Sequence, residues 1–547
     1  MRRPAFVLVG QAVSFAFLVL FLALPVFLVL RSSVITADGV HLTLGNFQKI
    51  FSTGFYRAAV INTLYIAAGA TIAATLVGVP IAFCLARLPI PGKPLAVTLG
   101  TLPLLLPSFV SAHAWVLLLG RFGFFSQALR AVGIPFESIY GRGGMIFVYT
   151  IQGFPYVLLL AMSAFSAMDV SLEEAGENLG SSPWRTFRTV TLPLLIPAML
   201  SGGLLVFMAS AENFGVPFVL AEDMPVLSLE AYKLFVSEMG GNPGMAGAMG
   251  VFLILCTAVP LLIQRAYLKG QRFITQSRGR ARLLSVSPGV RRLATALVFG
   301  VDFVALLPFL VVIVASFLEM RGPVMFFRFS LQSYREVLTQ SPEMVTNTYL
   351  LATLGTLVAV ALGVPIGYLV TRQRLRTGSL MEVLSNAPLA IAGTVLGIGF
   401  VLSFNSHPLI LTGGWMILVL AYTIRMLPFN VRSTVALLHQ LDPAMEEASV
   451  NLGVPPGKTF VRVTVRLLLA GIISGAILTW VNIASELSST VILYSGPWAT
   501  MTVGMFQAME SRNLGVASAF ASILVVSVAV PLFFVSRVFG RREVTLF

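Results

Sequence analysis

The chain has 547 residues, 57% of them hydrophobic and 11% charged, where soluble domains carry about 25% charged residues. This excludes a water-soluble globule, since a soluble chain of this length would form three or four domains with polar surfaces. The 36 Lys and Arg against 22 Asp and Glu give a net charge of +14, which in a membrane protein points to basic cytoplasmic loops rather than to nucleic acid.

In chain order, the first element is an apolar run from Val7 to Leu30 behind Met1-Arg2-Arg3. It exceeds the roughly 7–15 residues of a cleavable signal core and no A-x-A site follows, so it reads as a retained transmembrane helix. Runs of about 20 apolar residues, enough to cross the hydrocarbon core, then start near Val60, Leu95, Met145, Leu194, Met245, Leu293, Tyr349, Met381, Trp415, Leu467 and Val516. The run at Leu95 holds Pro103 and Pro107 and is expected to be kinked or broken. The predicted fold class is an all-α membrane protein of about twelve spans. With the N-terminus inside, 23 basic residues fall on the cytoplasmic side, 11 outside, and Arg425 and Arg432 within or beside a span. Both termini are then cytoplasmic by the positive-inside rule. Cys84 and Cys256 lie within apolar runs and read as small buried hydrophobes.

The spans form two copies of one unit. Asn62-Thr63 matches Asn347-Thr348, Gly78-Val79-Pro80-Ile81 matches Gly363-Val364-Pro365-Ile366, and Pro103 matches Pro388, all at an offset of 285. Farther on the offset is 273, where Tyr149-Thr150-Ile151 matches Tyr422-Thr423-Ile424 and Glu173-Glu174-Ala175 matches Glu446-Glu447-Ala448. The 12 surplus residues of the first half fall around Arg121 to Gly144, in an external stretch. Six spans per half make the repeats parallel. The halves are residues 1–268 and 293–547, joined by a basic cytoplasmic linker, 269–292; the stretch from Arg265 to Arg292 has no acidic residue.

Between the fourth and fifth spans of each half lies a polar segment, residues 169–193 and 442–466. Asp169 is placed to cap a short helix with acidic first turns that ends at Gly180; Asp442-Pro443 opens the second copy, which ends at Gly453. Glu174-Ala175-Gly176, Gly180 and Val190-Thr191-Leu192-Pro193 resemble the E-A-A, Gly, I-x-L-P loop of the membrane subunits of binding-protein-dependent ABC importers. Glu447-Ala448-Ser449, Gly453 and Val463-Thr464-Val465-Arg466 repeat it, with Arg466 where Pro is usual.

The resemblance covers nearly the whole chain and is nearest to the fused permeases of ferric-iron uptake systems, with thiamine, phosphonate and polyamine permeases as alternatives. It implies a type I ABC importer permease fold in the bacterial inner membrane. Each loop would be a coupling helix docking into one of two separate ATPase subunits, with Glu173, Glu174, Ala175, Gly180, Glu446, Glu447, Ala448 and Gly453 as the coupling residues. A periplasmic substrate-binding protein would be the other protein partner, beside membrane lipid. ATP would be used by the partner, this chain binding no cofactor.

Gly453-Val454-Pro455-Pro456-Gly457-Lys458-Thr459 has three residues between its glycines where a nucleotide-binding loop needs four, and no strand precedes it. Neither a catalytic constellation nor a metal site is assigned: His41, His113, His407 and His439 are scattered. The chain thus reads as a transport subunit and not an enzyme.

Polar groups inside spans are candidates for a translocation path: Asp302 in the seventh span, Arg425 in the tenth with Gln152 at its matching place, and Glu212 and Glu486 near external span ends. Interhelical hydrogen bonds or solvated helix ends are the plainer accounts. The segment from Glu212 to Glu238, with five acidic residues against Lys233, could meet basic residues of the binding protein. A secondary transporter with parallel halves is the competing class, but it has no need of two such loops.

Overall fold

A computed structural model of the protein describes residues 5–36, 41–134, 138–237, 241–269, 283–284, 286–372 and 378–539. Most of the basic linker, with Glu238, Arg374, Arg376, Arg541 and Arg542, lies outside the described residues. Among the described residues ten helices are long and apolar enough to cross a bilayer, and a helix pair bent by 112°, Gly378–Ala390 with Gly393–Phe404, would make eleven.

The difference from twelve lies in the run at Met381, which is this bent pair, and in the Trp415 run, while the run at Leu95 is redirected but still supplies a counted span, Ser108–Ala131. The run at Leu95 folds as a short helix, Lys93–Thr101, ending in a 3₁₀ turn at Leu102–Leu105, and a new helix starts at Ser108 behind Pro107. Pro388 occupies the matching 3₁₀ turn, Ala387–Ala390, in the bent pair. A proline lacks the N–H and crowds the preceding turn, so each chain redirects there. The Trp415–Gln440 helix, 26 residues or about 39 Å, is long enough but too polar, since it carries Arg425, Arg432 and His439. Much of it is packed against protein rather than lipid, by Pro342–Arg372 and Val465–Ala484.

The chain forms two compact units that do not follow the two halves of the sequence. One comprises residues 53–229 and 252–315, the other 1–52, 230–251 and 316–546. In the first, the helices Gly54–Arg87, Arg142–Ala167 and Leu192–Glu212 pack on one another. In the second, the corresponding helices Pro342–Arg372, Trp415–Gln440 and Val465–Ala484 do the same, and the first span packs along Gly393–Phe404. Each unit therefore takes the first span of the opposite sequence half.

Lipid is as apolar as leucine, so close backbone approach must hold spans together. The repeated Gly-Val-Pro-Ile supplies it. A Cβ on Gly78 would lie 2.9 Å from both the Phe154 carbonyl oxygen and Val157 Cβ, and one on Gly363 would lie 2.5 Å from Asn430 Cβ.

Among the described residues a two-stranded sheet and a single bridge interrupt the helical plan. After the span Pro288–Ser316, strands Leu318–Arg321 and Val324–Phe329 form an antiparallel hairpin turning at Gly322, with Met320 opposite Met325. The first span is followed in the same way by a single bridge, Ile35 with Leu42.

Candidate functional site

The two polar segments each fold as a short helix, Val170–Asn178 and Ala444–Asn451. Asp169 Oδ1 accepts the Ser171 N–H at 2.9 Å and Asp442 Oδ1 accepts the Ala444 N–H at 2.9 Å. This bond holds the exposed Asp169 carboxyl below its ordinary pKa, because it favours the ionised form. Gly180 and Gly453 leave the helices at φ +79° and +88°, the left-handed conformation that glycine adopts without a Cβ clash.

The two adjacent glutamates of each copy face different ways. Glu173 Oε1 lies 3.1 Å from Arg87 Nη2, at the end of the second span, and accepts the Thr191 hydroxyl at 2.9 Å. Arg87 is 2% exposed and Glu173 19%. In the other copy Glu446 Oε1 accepts the Thr464 hydroxyl at 2.9 Å and lies 3.6 Å from Arg372 Nε, while the Tyr368 hydroxyl donates to Glu446 Oε2 at 3.4 Å. Arg372 also donates to the Leu441 carbonyl at 2.8 Å. Both threonines end a π-helical turn, Phe187–Thr191 or Phe460–Thr464, at the head of the fifth span of its half. Arg466 in place of proline leaves this turn unchanged. Each Arg–Glu–Thr set thus joins the end of one span, a short helix and the start of another span.

Glu174, Ala175, Glu447 and Ala448 lie on the exposed side. Beside them stand two leucines at matching positions, Leu179 at 86% exposure and Leu452 at 85%. Gly176 faces Thr186, and in the second copy Ser449 shares a 3.0 Å hydrogen bond with Thr459.

The second span is fastened at its other end too. Asn62 Nδ2 donates to the Pro225 carbonyl at 2.9 Å and Thr63 Oγ1 accepts the Leu227 N–H at 3.0 Å. Asn347 donates to the carbonyls of Pro497 and Ala499 at 2.9 and 3.0 Å, and Thr348 accepts the Met501 N–H at 2.8 Å. From Asn62 to Arg87 the helix runs about 37 Å. The repeated Asn-Thr pair therefore ties a distant loop to the same rod that ends at the glutamate.

Of the candidate path residues, Arg425 and Glu486 meet, with Nε 2.9 Å from Oε2. Glu486 Oε1 also accepts the Ser489 N–H at 2.9 Å and its hydroxyl at 3.1 Å. In the other copy this capping role falls to Asn213, whose Oδ1 accepts the Val216 N–H at 2.9 Å. Asn213, not Glu212, stands 273 positions before Glu486. Gln152 is half-buried in the Arg142–Ala167 helix. Asp302 is buried in the seventh span beside Gly100, with neither oxygen hydrogen-bonded among the described residues. Of the acidic residues between Glu212 and Glu238, Glu222 pairs with Arg121 at 2.9 Å and Glu230 with Lys233 at 3.0 Å.

Sequence reasoning missed Arg87 and Arg372. A signal existed, since both are the last basic residue of the second span at the 285 offset, but nothing in one dimension links that offset to the 273 of the glutamates.

The family model described as binding-protein-dependent transport system inner membrane component matches residues 74–272 and again 359–544. The chain belongs to this family. Each match contains one Arg–Glu–Thr set, so the permease carries the family's unit twice. It is 25% identical to the ferric transport system permease protein FbpB of Actinobacillus pleuropneumoniae, over 91% of this chain and 73% of that one. It is 25% identical to the Fe(3+)-transport system permease protein FbpB 2 of Haemophilus influenzae, over 98% of this chain and 99% of that one. The molybdenum transport system permease protein ModB of Escherichia coli is 30% identical, over 38% of this chain and 90% of its own length. The permease is a multi-pass inner-membrane transport subunit of an ABC importer.

Proposed function

We propose that the permease imports ferric iron handed over by a periplasmic binding protein, and that its two short helices and both termini face the cytoplasm. Two separate ATPase subunits hydrolyse ATP, one seated on Val170–Asn178 and one on Ala444–Asn451, while this chain has no nucleotide site and binds no cofactor. Residues 1–268 and 293–547 act as the two permease repeats, joined by the linker 269–292.

The observation that carries the reading is the division of labour between adjacent glutamates, present twice. Glu173 and Glu446 are tied inward to two spans, whereas Glu174 and Glu447 and an almost fully exposed leucine face outward. Exposed apolar side chains clustered with charge suit a protein partner. A push on such a helix passes through the Arg–Glu–Thr set to the second and fifth spans. The second span, a rigid rod, carries it about 37 Å to the Asn-Thr tether. Packed helices move as bodies rather than deform continuously, which suits alternating access. Glu174, Ala175, Gly180, Glu447, Ala448 and Gly453 form the docking face on this reading. Arg425 and Glu486 in one unit, and Gln152, Glu212 and Asp302 in the other, are the proposed path residues.

Ferric iron as cargo is supported by the names of relatives matched over most of both chains. The test is uptake of radioactive ferric iron into liposomes containing the permease, its ATPase subunits and its binding protein. Uptake should require ATP inside and the binding protein outside, and the permease alone should hydrolyse no ATP. Uptake that follows a proton or sodium gradient without ATP would overturn the reading in favour of a secondary transporter.

A further inference from the structure

The segments that follow the first span of each half both expose apolar side chains that the transport reading leaves unused. At the 285 offset, Leu42 and Leu44 correspond to Phe327 and Phe329. All four are largely exposed, at 82%, 71%, 69% and 76%. We propose that residues 41–52 and 317–340 are anchors in the membrane surface, seating these side chains at the boundary between headgroups and acyl chains and pairing Arg328 and Arg335 with lipid phosphates.

Depth is fixed by hydrogen bonds to the spans. The Tyr334 hydroxyl bonds Ser316 Oγ at 2.8 Å, the last residue of its span, and Ser522 Oγ at 2.7 Å. Ser522 lies eight residues into the Leu514–Phe539 helix, about 12 Å along its axis. The helix Gln332–Gln340 therefore rests against the flank of a span, at or inside the hydrocarbon boundary. Phe329 stacks on Phe317, next to the span end, at 6.1 Å. In the first copy, Asn46 Nδ2 donates to the Ser33 carbonyl at 3.1 Å, holding the helix Gly45–Ser52 against the end of the first span.

Charge selects lipid as the occupant. Arg321 is neutralised by Glu319 at 2.8 Å, but Arg328 and Arg335 are exposed and have no ion pair among the described residues. Arg335 shares the exposed helix face with Leu331 and Leu338. Exposed apolar groups with arginine beside them match an interfacial segment, whose apolar face enters the acyl boundary while its cations meet phosphate. These arginines are at the end of the Pro342–Arg372 rod opposite Glu446, on the side that the positive-inside rule depletes of such charge.

The test uses the full chain with Cys84→Ala and Cys256→Ala, spin-labelled at Phe327→Cys or Leu42→Cys in nanodiscs of phosphatidylethanolamine and phosphatidylglycerol. Labels at 327 and 42 should collide more with oxygen than with a water-soluble nickel chelate, and a label at Leu179→Cys should show the reverse. Reversing Arg328→Glu together with Arg335→Glu should shift the 327 label toward the aqueous profile. A water-like profile at both 327 and 42 overturns the proposal. So does a label that becomes shielded only when the binding protein is added, which would assign the surface to that protein. An unchanged profile after the charge reversal overturns the phosphate pairing. The two copies give independent readings should one variant fail to fold.

Discussion

Arg87, at the last turn of the second span, places Nη2 3.1 Å from Oε1 of Glu173 in the short helix 86 positions later. The arginine is almost fully buried, so its charge has little water to fall back on and the pair fixes the angle between span and helix. Arg372 and Glu446 repeat the contact more loosely, at 3.6 Å.

Removing the inward glutamate should therefore harm the fold more than removing its neighbour. Breaking a buried ion pair leaves the other charge uncompensated, at a cost of about 3–5 kcal/mol. Discounted for the partial exposure of Glu173, about 2 kcal/mol is expected for Glu173→Ala. Glu174→Ala should stay within about 0.5 kcal/mol. Thermal unfolding of the two variants in detergent checks the order, and equal losses would count against it.

The outward residues should show the opposite pattern. Leu179→Asp with Leu452→Asp, or Glu174→Lys with Glu447→Lys, should leave the unfolding temperature unchanged and abolish ATP-driven uptake. Each leucine lost from a docked interface should weaken ATPase binding about tenfold, the effect of a modest hot spot. Titration of purified ATPase onto the permease in nanodiscs reads this directly.

Glu486 serves both as a helix cap and as the counter-charge of Arg425. Glu486→Ala should lose both roles and lower stability by about 2–4 kcal/mol, whereas Glu486→Gln keeps an acceptor for Ser489 and should lose less. Exchanging the charges, Arg425→Glu with Glu486→Arg, should recover part of the loss relative to Arg425→Glu alone. Additive damage in that double-mutant cycle would show that the pair is not coupled.

Gly78 and Gly363 mark close helix crossings. Valine at either place should overpack by about 1–3 kcal/mol, with backbone rather than flexible side chains in the way at Gly78. Gly78→Ala and Gly363→Ala should rank between wild type and valine in thermal unfolding. A fully stable Gly363→Val variant would contradict the observed crossing.

The Asp169 cap gives a pH dependence of known sign. Its folded carboxyl has a lowered pKa, so the cap is fully present above the ordinary aspartate value of 3.8 and is lost as the pH falls through the lower folded value. Amide exchange at Ser171 should stay protected at pH 5 and speed up under more acidic conditions beyond the intrinsic trend. In Asp169→Asn that extra step should vanish.

The sequence alone determined the solvent, the duplicated plan and the two polar helices. Apolar length, charge placement and fixed-offset repeats are one-dimensional properties, and capping signals such as Asp169 and Gly180 act within a few residues. Tertiary structure alone decided what the repeated residues do. Asn62-Thr63 was legible as a repeat, but its partner at Pro225 lies 163 positions away. The two spans broken at Pro103 and Pro388 and the polar Trp415–Gln440 helix were counted from hydropathy, which does not register whether a face meets lipid or protein. Exchange of the first spans between units depends on packing that apolar composition leaves open. Adjacent glutamates are chemically identical in sequence, and only a buried arginine brought to one of them made Glu173 an anchor and left Glu174 on the surface.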